Sequence, residues 1–374
     1  MDFNSLLQLM CDKKASDLFI SSGIPPSLKI HGKISPISNT DLTSDQAKKI
    51  IFRIMPSDQK REFERYNEAN FAISPDDIGR FRVNVYRHQN QIGMVLRRIE
   101  TNIPNIDELN LPEIFKDIAM YRQGLVLIVG ATGAGKSTTL AAMINQRNTH
   151  SSGHIISIED PIEFVHKPKS CIVTQREVGI DTDSFEIALR NALRQAPDLI
   201  VIGEIRSKEA MSQALQFAET GHLCLATLHA SNSHQAFDRI MSFFPDEQKK
   251  QISLDLSLSL KSIIAQRLIP AKDGNTRRVA VECLLNSPLV ANHILRNEIH
   301  ELRGVIEKSK QMGMSSFDQS LFDLYDKGEI TYEEALRQSD SANELRLMIK
   351  LSKPHDPNAQ ASEALRHASL IEDN

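Results

Sequence analysis

The chain has no tryptophan among its 374 residues, and aromatic side chains make up only 5% of it. A platform for nucleobases needs aromatic faces beside massed cations. Cations are not massed here: 44 Lys and Arg stand against 48 Asp and Glu, a net charge of −4. Broad electrostatic attraction to nucleic acid is therefore excluded. Cysteine is scarce too. Cys11, Cys171, Cys224 and Cys283 lie far apart, and no C-x-x-C pair exists. That spacing offers neither a zinc cage nor a disulfide framework, and it reads as reduced thiols of a cytoplasmic chain. No apolar run approaches the ~20 residues that span a bilayer. The start, Met1 to Ser5, lacks the basic and then apolar pattern of a secretory signal. The expectation is a cytoplasmic protein that meets a membrane only through protein partners.

What is present is specific. The apolar run Leu125–Val129 leads into Gly130, Ala131, Thr132, Gly133, Ala134, Gly135, Lys136 and Ser137, with Thr138 opening a helical pattern. This is G-x-x-x-x-G-K-[ST] between a buried strand and a helix, the context in which that pattern cradles phosphate. Glycines let backbone N–H groups wrap an anion, and the helix N-terminus adds partial positive charge. Lys136 reaches the β- and γ-phosphates, and Ser137 ligates Mg²⁺. The cofactors expected are ATP and Mg²⁺.

The composition, 41% hydrophobic over 374 residues, supports two or three domains with a sizeable core. Residues 1–100 read as a small α+β domain. It has a strand pair at Arg80–Arg87 and Ile92–Ile99, with Phe81, Val83 and Val85 on one face and Arg80 and Arg82 on the other. Residues 101–112 carry two prolines and little periodicity, a linker pattern. Residues 113–285 alternate strand and helix patterns, predicting a parallel sheet with helices on both faces. A hairpin turn is expected at Asp273-Gly274. Residues 286–351 read as helical, and 352–374 as a polar tail.

Four apolar runs in the second domain end in polar residues. Besides the phosphate loop, Ile158 leads into Glu159-Asp160-Pro161-Ile162-Glu163, Ile202 into Gly203-Glu204, and Leu228 into His229. Ligands sit at the carboxyl ends of parallel strands, so these sets are expected to converge. Glu204 stands where an acid supports Mg²⁺ through water, although Gly203 occupies the place where many such enzymes have Asp. The water-orienting role then falls to another acid, Glu163 first, with Glu159 and Asp160 behind it. His222 and His229 flank the fourth strand. From the residues alone they fit γ-phosphate sensing and backbone-satisfied strand ends equally. Arg82, Arg97 and Arg98 of the first domain suit either a phosphate-contacting set or a solvated basic face.

The segments GATGAGKSTTLAAM, IEDPIEFVH, QREVG, LRQAPDLIVIGEIR and AETGHLCLATLHA resemble the secretion ATPase superfamily of type II/IV secretion and type IV pili. Within it, Ala15-Ser-Asp-Leu18 and Gly79-Arg-Phe-Arg-Val-Asn84 extend the likeness to the retraction ATPases of the PilT and PilU type. The endings Phe317–Tyr325 and Asp340–Leu347 are more similar to the PilU-type branch. The resemblance implies a PAS-like N-terminal domain, a RecA-like P-loop ATPase domain and a ring hexamer. It implies Glu163 as the catalytic glutamate, Glu204 as the Walker B glutamate, and His222 and His229 as the His-box pair. It further implies that Arg82, Arg97 and Arg98 contact phosphate. The implied activity is hydrolysis of ATP to drive or assist pilus retraction. The implied partners are a PilT-type ATPase and the inner-membrane pilus platform, with the ring at the cytoplasmic face of that membrane. The Ala-Ile-Arg-Ala-Gly-Glu string that PilT needs for retraction is missing, and Ala335-Leu-Arg-Gln-Ser-Asp340 departs from it. This departure favours an enzyme that works beside a PilT-type motor. Extension ATPases carry paired cysteines for zinc, which this chain lacks.

Overall fold

The computed structural model describes residues 3–30, 32–75, 78–274 and 276–352. The expected polar tail lies outside them except for Ser352, which closes the helix Ala342–Ser352. Two compact units result. Within the described residues, one lies in Met1–Glu108, Ser137–Ile205 and His222–Cys224, and the other in Leu109–Lys136, Arg206–Gly221 and Leu225–Asn374.

The N-terminal part of the first unit is a six-stranded antiparallel sheet. Its strands are β1 (Asp17–Ser21), β2 (Ser27–Ile30), β3 (Lys33–Pro36), β4 (Glu68–Ile73), β5 (Phe81–His88) and β6 (Gln91–Arg98), in the order β3-β2-β1-β6-β5-β4. The period-two pattern of β5 is realised: Phe81, Val83 and Val85 are fully buried. They pack with Leu18, Ile20, Met94 and Leu96 and with helix residues Leu7, Met10, Ile51 and Phe63. The turn from β5 to β6 is Gln89-Asn90, both with positive φ, matching the two-residue hairpin that suits strand twist. Thr43 caps the helix Ser44–Ile54 through a full capping box with Gln46.

A second sheet holds β7 (Gly124–Val129), β8 (Gly153–Glu159), β9 (Cys171–Glu177), β10 (Leu199–Ile202), β11 (Leu223–Leu228), β12 (Leu260–Pro270) and β13 (Arg277–Leu285). Their order is β13-β12-β7-β11-β10-β8-β9. β8 pairs in parallel with both β10 and β9, and β12 in parallel with β7, while β12 and β13 form an antiparallel hairpin. Every residue of β7, β10 and β11 is buried, as expected of strands covered on both faces. The hairpin turns at Asp273-Gly274, with Gly274 at φ +69°. Helices from Pro288–Leu295 to Ala342–Ser352 make the C-terminal part. Among the described residues no helix is long and apolar enough to cross a membrane.

Candidate functional site

The phosphate loop follows β7 and runs into the helix Lys136–His150. Gly133 and Gly135 have φ of +79° and +89°, a region where a side chain is strained. A Cβ on Gly133 would meet nothing within 4 Å, so its backbone faces open space. Lys136 Nζ donates to the carbonyls of Gly130 (2.9 Å) and Ala131 (3.0 Å), holding the ammonium across the loop. Ser137 and Thr138 open the helix with their side chains at least partly accessible. Gly130, Ala131, Thr132 and Ala134 complete the loop, and Ala134 turns inward. A backbone of this form fits a phosphate chain.

In the first unit β8 and β10 run in register, Leu199 opposite Ile155 and Ile202 opposite Ile158. Their carboxyl ends therefore lie side by side, and Gly203 N–H donates to Ile158 O at 2.8 Å. A Cβ on Gly203 would lie 3.1 Å from Glu159 Cα and 3.2 Å from Ile158 O. A side chain at 203 would need the neighbouring strand to give by a few tenths of an ångström, which disfavours the Asp that many such enzymes carry there. Glu204, half-buried, comes next in the chain.

Glu163 is exposed in the segment after β8, which contains the cis Asp160–Pro161 bond. Glu159 organises that segment. Burial pushes its carboxyl above the ordinary range, while hydrogen bonds from Ser157, Gln175 and the backbone of Glu163 support its charged form. Gln175 fastens the same segment. Its Nε2 donates to Glu159 Oε1 (3.1 Å) and Phe164 O (2.8 Å), and its Oε1 accepts from His166 N–H (2.8 Å). Ser137, Glu163 and Glu204 all belong to this unit.

His222 precedes β11 and His229 follows it. At about 3.3 Å per strand residue, seven steps put their α-carbons roughly 20 Å apart, so within one chain they cannot share a phosphate. Arg97 lies directly opposite Arg82 on the neighbouring strand, and Arg98 opposite buried Phe81. Successive side chains alternate, so Arg82 and Arg97 share a face and Arg98 has the other. Each also has an acidic neighbour. Arg97 Nε donates to Asp17 (2.9 Å), and Arg98 donates to Glu100 (2.7 Å). Arg82 Nε lies 3.8 Å from Glu177 Oε1 at the end of β9, and Arg80 lies 3.9 Å from Asp181.

Glu177 was not singled out from the sequence. It is fully buried, and burial raises its pKa against the attraction of Arg82. Its only advance signal was its place in the QREVG string.

A family model for type II/IV secretion system proteins matches residues 2–338. The type IV pilus ATPase PilU of Pseudomonas aeruginosa is 57% identical, over 95% of this chain and 93% of its own length. PilT of the same organism, a type IV pilus retractation ATPase, is 40% identical over 90% of this chain and 97% of its own. A solved structure of the pilus retraction motor PilT with bound ADP superposes with a TM-score of 0.86 at 37% identity. That match covers 92% of this chain and 99% of the other. Sequence and fold together put the chain in the family of type II/IV secretion system proteins, among the pilus ATPases of the PilT and PilU type.

Proposed function

We propose that this chain is a PilU-like motor ATPase that hydrolyses ATP to drive or assist type IV pilus retraction, working beside a PilT-type enzyme. The observation that carries the reading is the parallel register of β8 and β10. It aligns the segment bearing Glu163 with the strand end bearing Glu204, in the unit that also holds the helix start at Ser137. Lys136 and the loop glycines bind the phosphates. Ser137 and Glu204 would hold Mg²⁺, with no carboxylate at Gly203 to share the role. Mg²⁺ supplies charge neutralisation at the phosphates. Glu163, exposed and on a fastened segment, orients the attacking water. His229 senses the phosphate end, and His222 serves a different contact.

The working form is a homo-hexamer, with residues 1–100 as the PAS-like domain, 101–112 as linker, 113–285 as the RecA-like core and 286–351 as the helical subdomain. Arg82, Arg97 and Arg98 serve phosphate when they leave their acidic neighbours, Arg82 and Arg97 from one face. The ring acts at the cytoplasmic side of the inner membrane, against the pilus platform. The test is twitching of a deletion strain carrying either the wild-type gene or Lys136→Ala. Restoration by the first alone supports the reading, and equal restoration by both refutes it.

A further inference from the structure

β12 outruns its partner beside the phosphate loop. The last parallel pair of β12 with β7 is Ala265 with Val129, so Gln266 is the first residue to lie against the loop itself. The contact is close: a Cβ on Gly130 would stand 2.8 Å from Gln266 O, and one on Gly135 would stand 3.8 Å from Gln266 Nε2. Gln266 is 1% exposed, and neither Nε2 nor Oε1 has a hydrogen-bond partner. An amide carries two donors and two acceptor sites, and leaving them unmet in the interior is costly. Nearly all such groups in folded proteins are satisfied, so an exception calls for a reason. Strand alternation sends the neighbouring side chain the other way. Arg267 donates to Gln338 O and Asp340 and covers the Phe317 ring at 3.9 Å. Gln266 alone of the two faces the loop.

The loop offers a matching exchange. Lys136 Nζ donates to the carbonyls of Gly130 and Ala131. An ammonium has three donors, so a lysine that gives two of them to phosphate keeps at most one of the two loop carbonyls. The carbonyl it leaves then needs a donor, and the Gln266 amide is the buried donor beside the loop. We infer that Gln266 is a positioning residue for the phosphate loop, whose amide hydrogen-bonds the loop backbone when a nucleoside triphosphate draws Lys136 away. The inference rests on the nucleotide-binding reading above. It adds that affinity for triphosphate is set partly from β12, by a group that touches no nucleotide.

The test compares full-length wild type with Gln266→Leu and with Gln266→Met, an unbranched replacement of similar length. Two quantities are read: the melting temperature without nucleotide, and the affinity for a non-hydrolysable ATP analogue with Mg²⁺. A positioning role predicts opposite signs. Removing the unmet amide raises the nucleotide-free melting temperature by roughly 2 °C or more. The same change weakens analogue binding about 5- to 20-fold, because the loop carbonyl that Lys136 releases goes unmet in the bound form. Unchanged analogue affinity in either folded variant overturns the inference, as does loss of melting temperature and affinity together in both. If the wild type itself binds no analogue, the nucleotide reading fails instead, which is a separate outcome.

Discussion

Acidification should loosen the segment that carries Glu163, and His166 is the reason. His166 is buried, its Nδ1 has no hydrogen-bond partner, and its pKa is lowered from 6.5 to about 4. Burial is the main cause, and the Lys169 ammonium adds repulsion. The sign follows from proton counts. Between pH 6.5 and 4 the unfolded chain takes a proton at this site and the folded chain does not. The stability contribution is present above 6.5 and is lost as pH falls through about 4. At about 1.4 kcal/mol per pH unit the full loss is about 3 kcal/mol. Buried carboxylates such as Glu159 and Glu177, raised by burial, titrate with the opposite sign and overlap this window. The assay must therefore be differential. Urea unfolding of wild type and His166→Asn is measured from pH 7.5 to 4.5, following the transition that includes Ser137–Ile205. The packing lost in the variant is the same at every pH, so it cancels in the slope. The variant is expected to start less stable and to close the gap by about 2 kcal/mol over that range. Parallel curves would refute the reasoning.

Gly203→Asp restores the acid found at this position in many P-loop enzymes. It places a side chain 3.1 Å from Glu159 Cα and should cost roughly 1–3 kcal/mol in thermal unfolding without raising ATP turnover. A stable, faster enzyme would show that the strand spacing is not the constraint. Glu177→Gln removes a buried carboxyl whose pKa is raised by burial. The wild-type group favours the fold most below its unfolded pKa, and that advantage fades as pH rises through its folded value. The glutamine variant should thus gain on wild type from pH 5 to 8 in chemical denaturation, and a relative loss over that range would contradict this.

How much of this was legible in the sequence differed by element. β7 and the loop were plain because an unbroken apolar run met glycines at fixed spacing. The β5–β6 pair showed its two faces through alternation, although its turn is two residues, not four. β9 went unread because Cys171–Glu177 mixes partly exposed polar and apolar residues as an edge strand does. The helix Ser57–Tyr66 buries only Phe63, so it lacks an apolar stripe to betray it. At the site, types and order were readable but distances were not. Nothing local says that Gly203 is squeezed by Glu159, or that Arg82 of β5 lies beside buried Glu177 of β9. Such contacts depend on how segments distant in the chain come together. The separation of His222 from His229 needed only the strand between them, and its length was available from Leu223–Leu228.

The central claim is that ATP is hydrolysed here with Glu163 orienting water and Lys136 binding phosphate. Steady-state phosphate release by the purified chain, compared with Glu163→Gln and Lys136→Ala, tests it most directly. The account predicts that Glu163→Gln keeps ATP binding and loses at least about 100-fold in turnover, while Lys136→Ala loses both. Turnover by Glu163→Gln equal to wild type would contradict it.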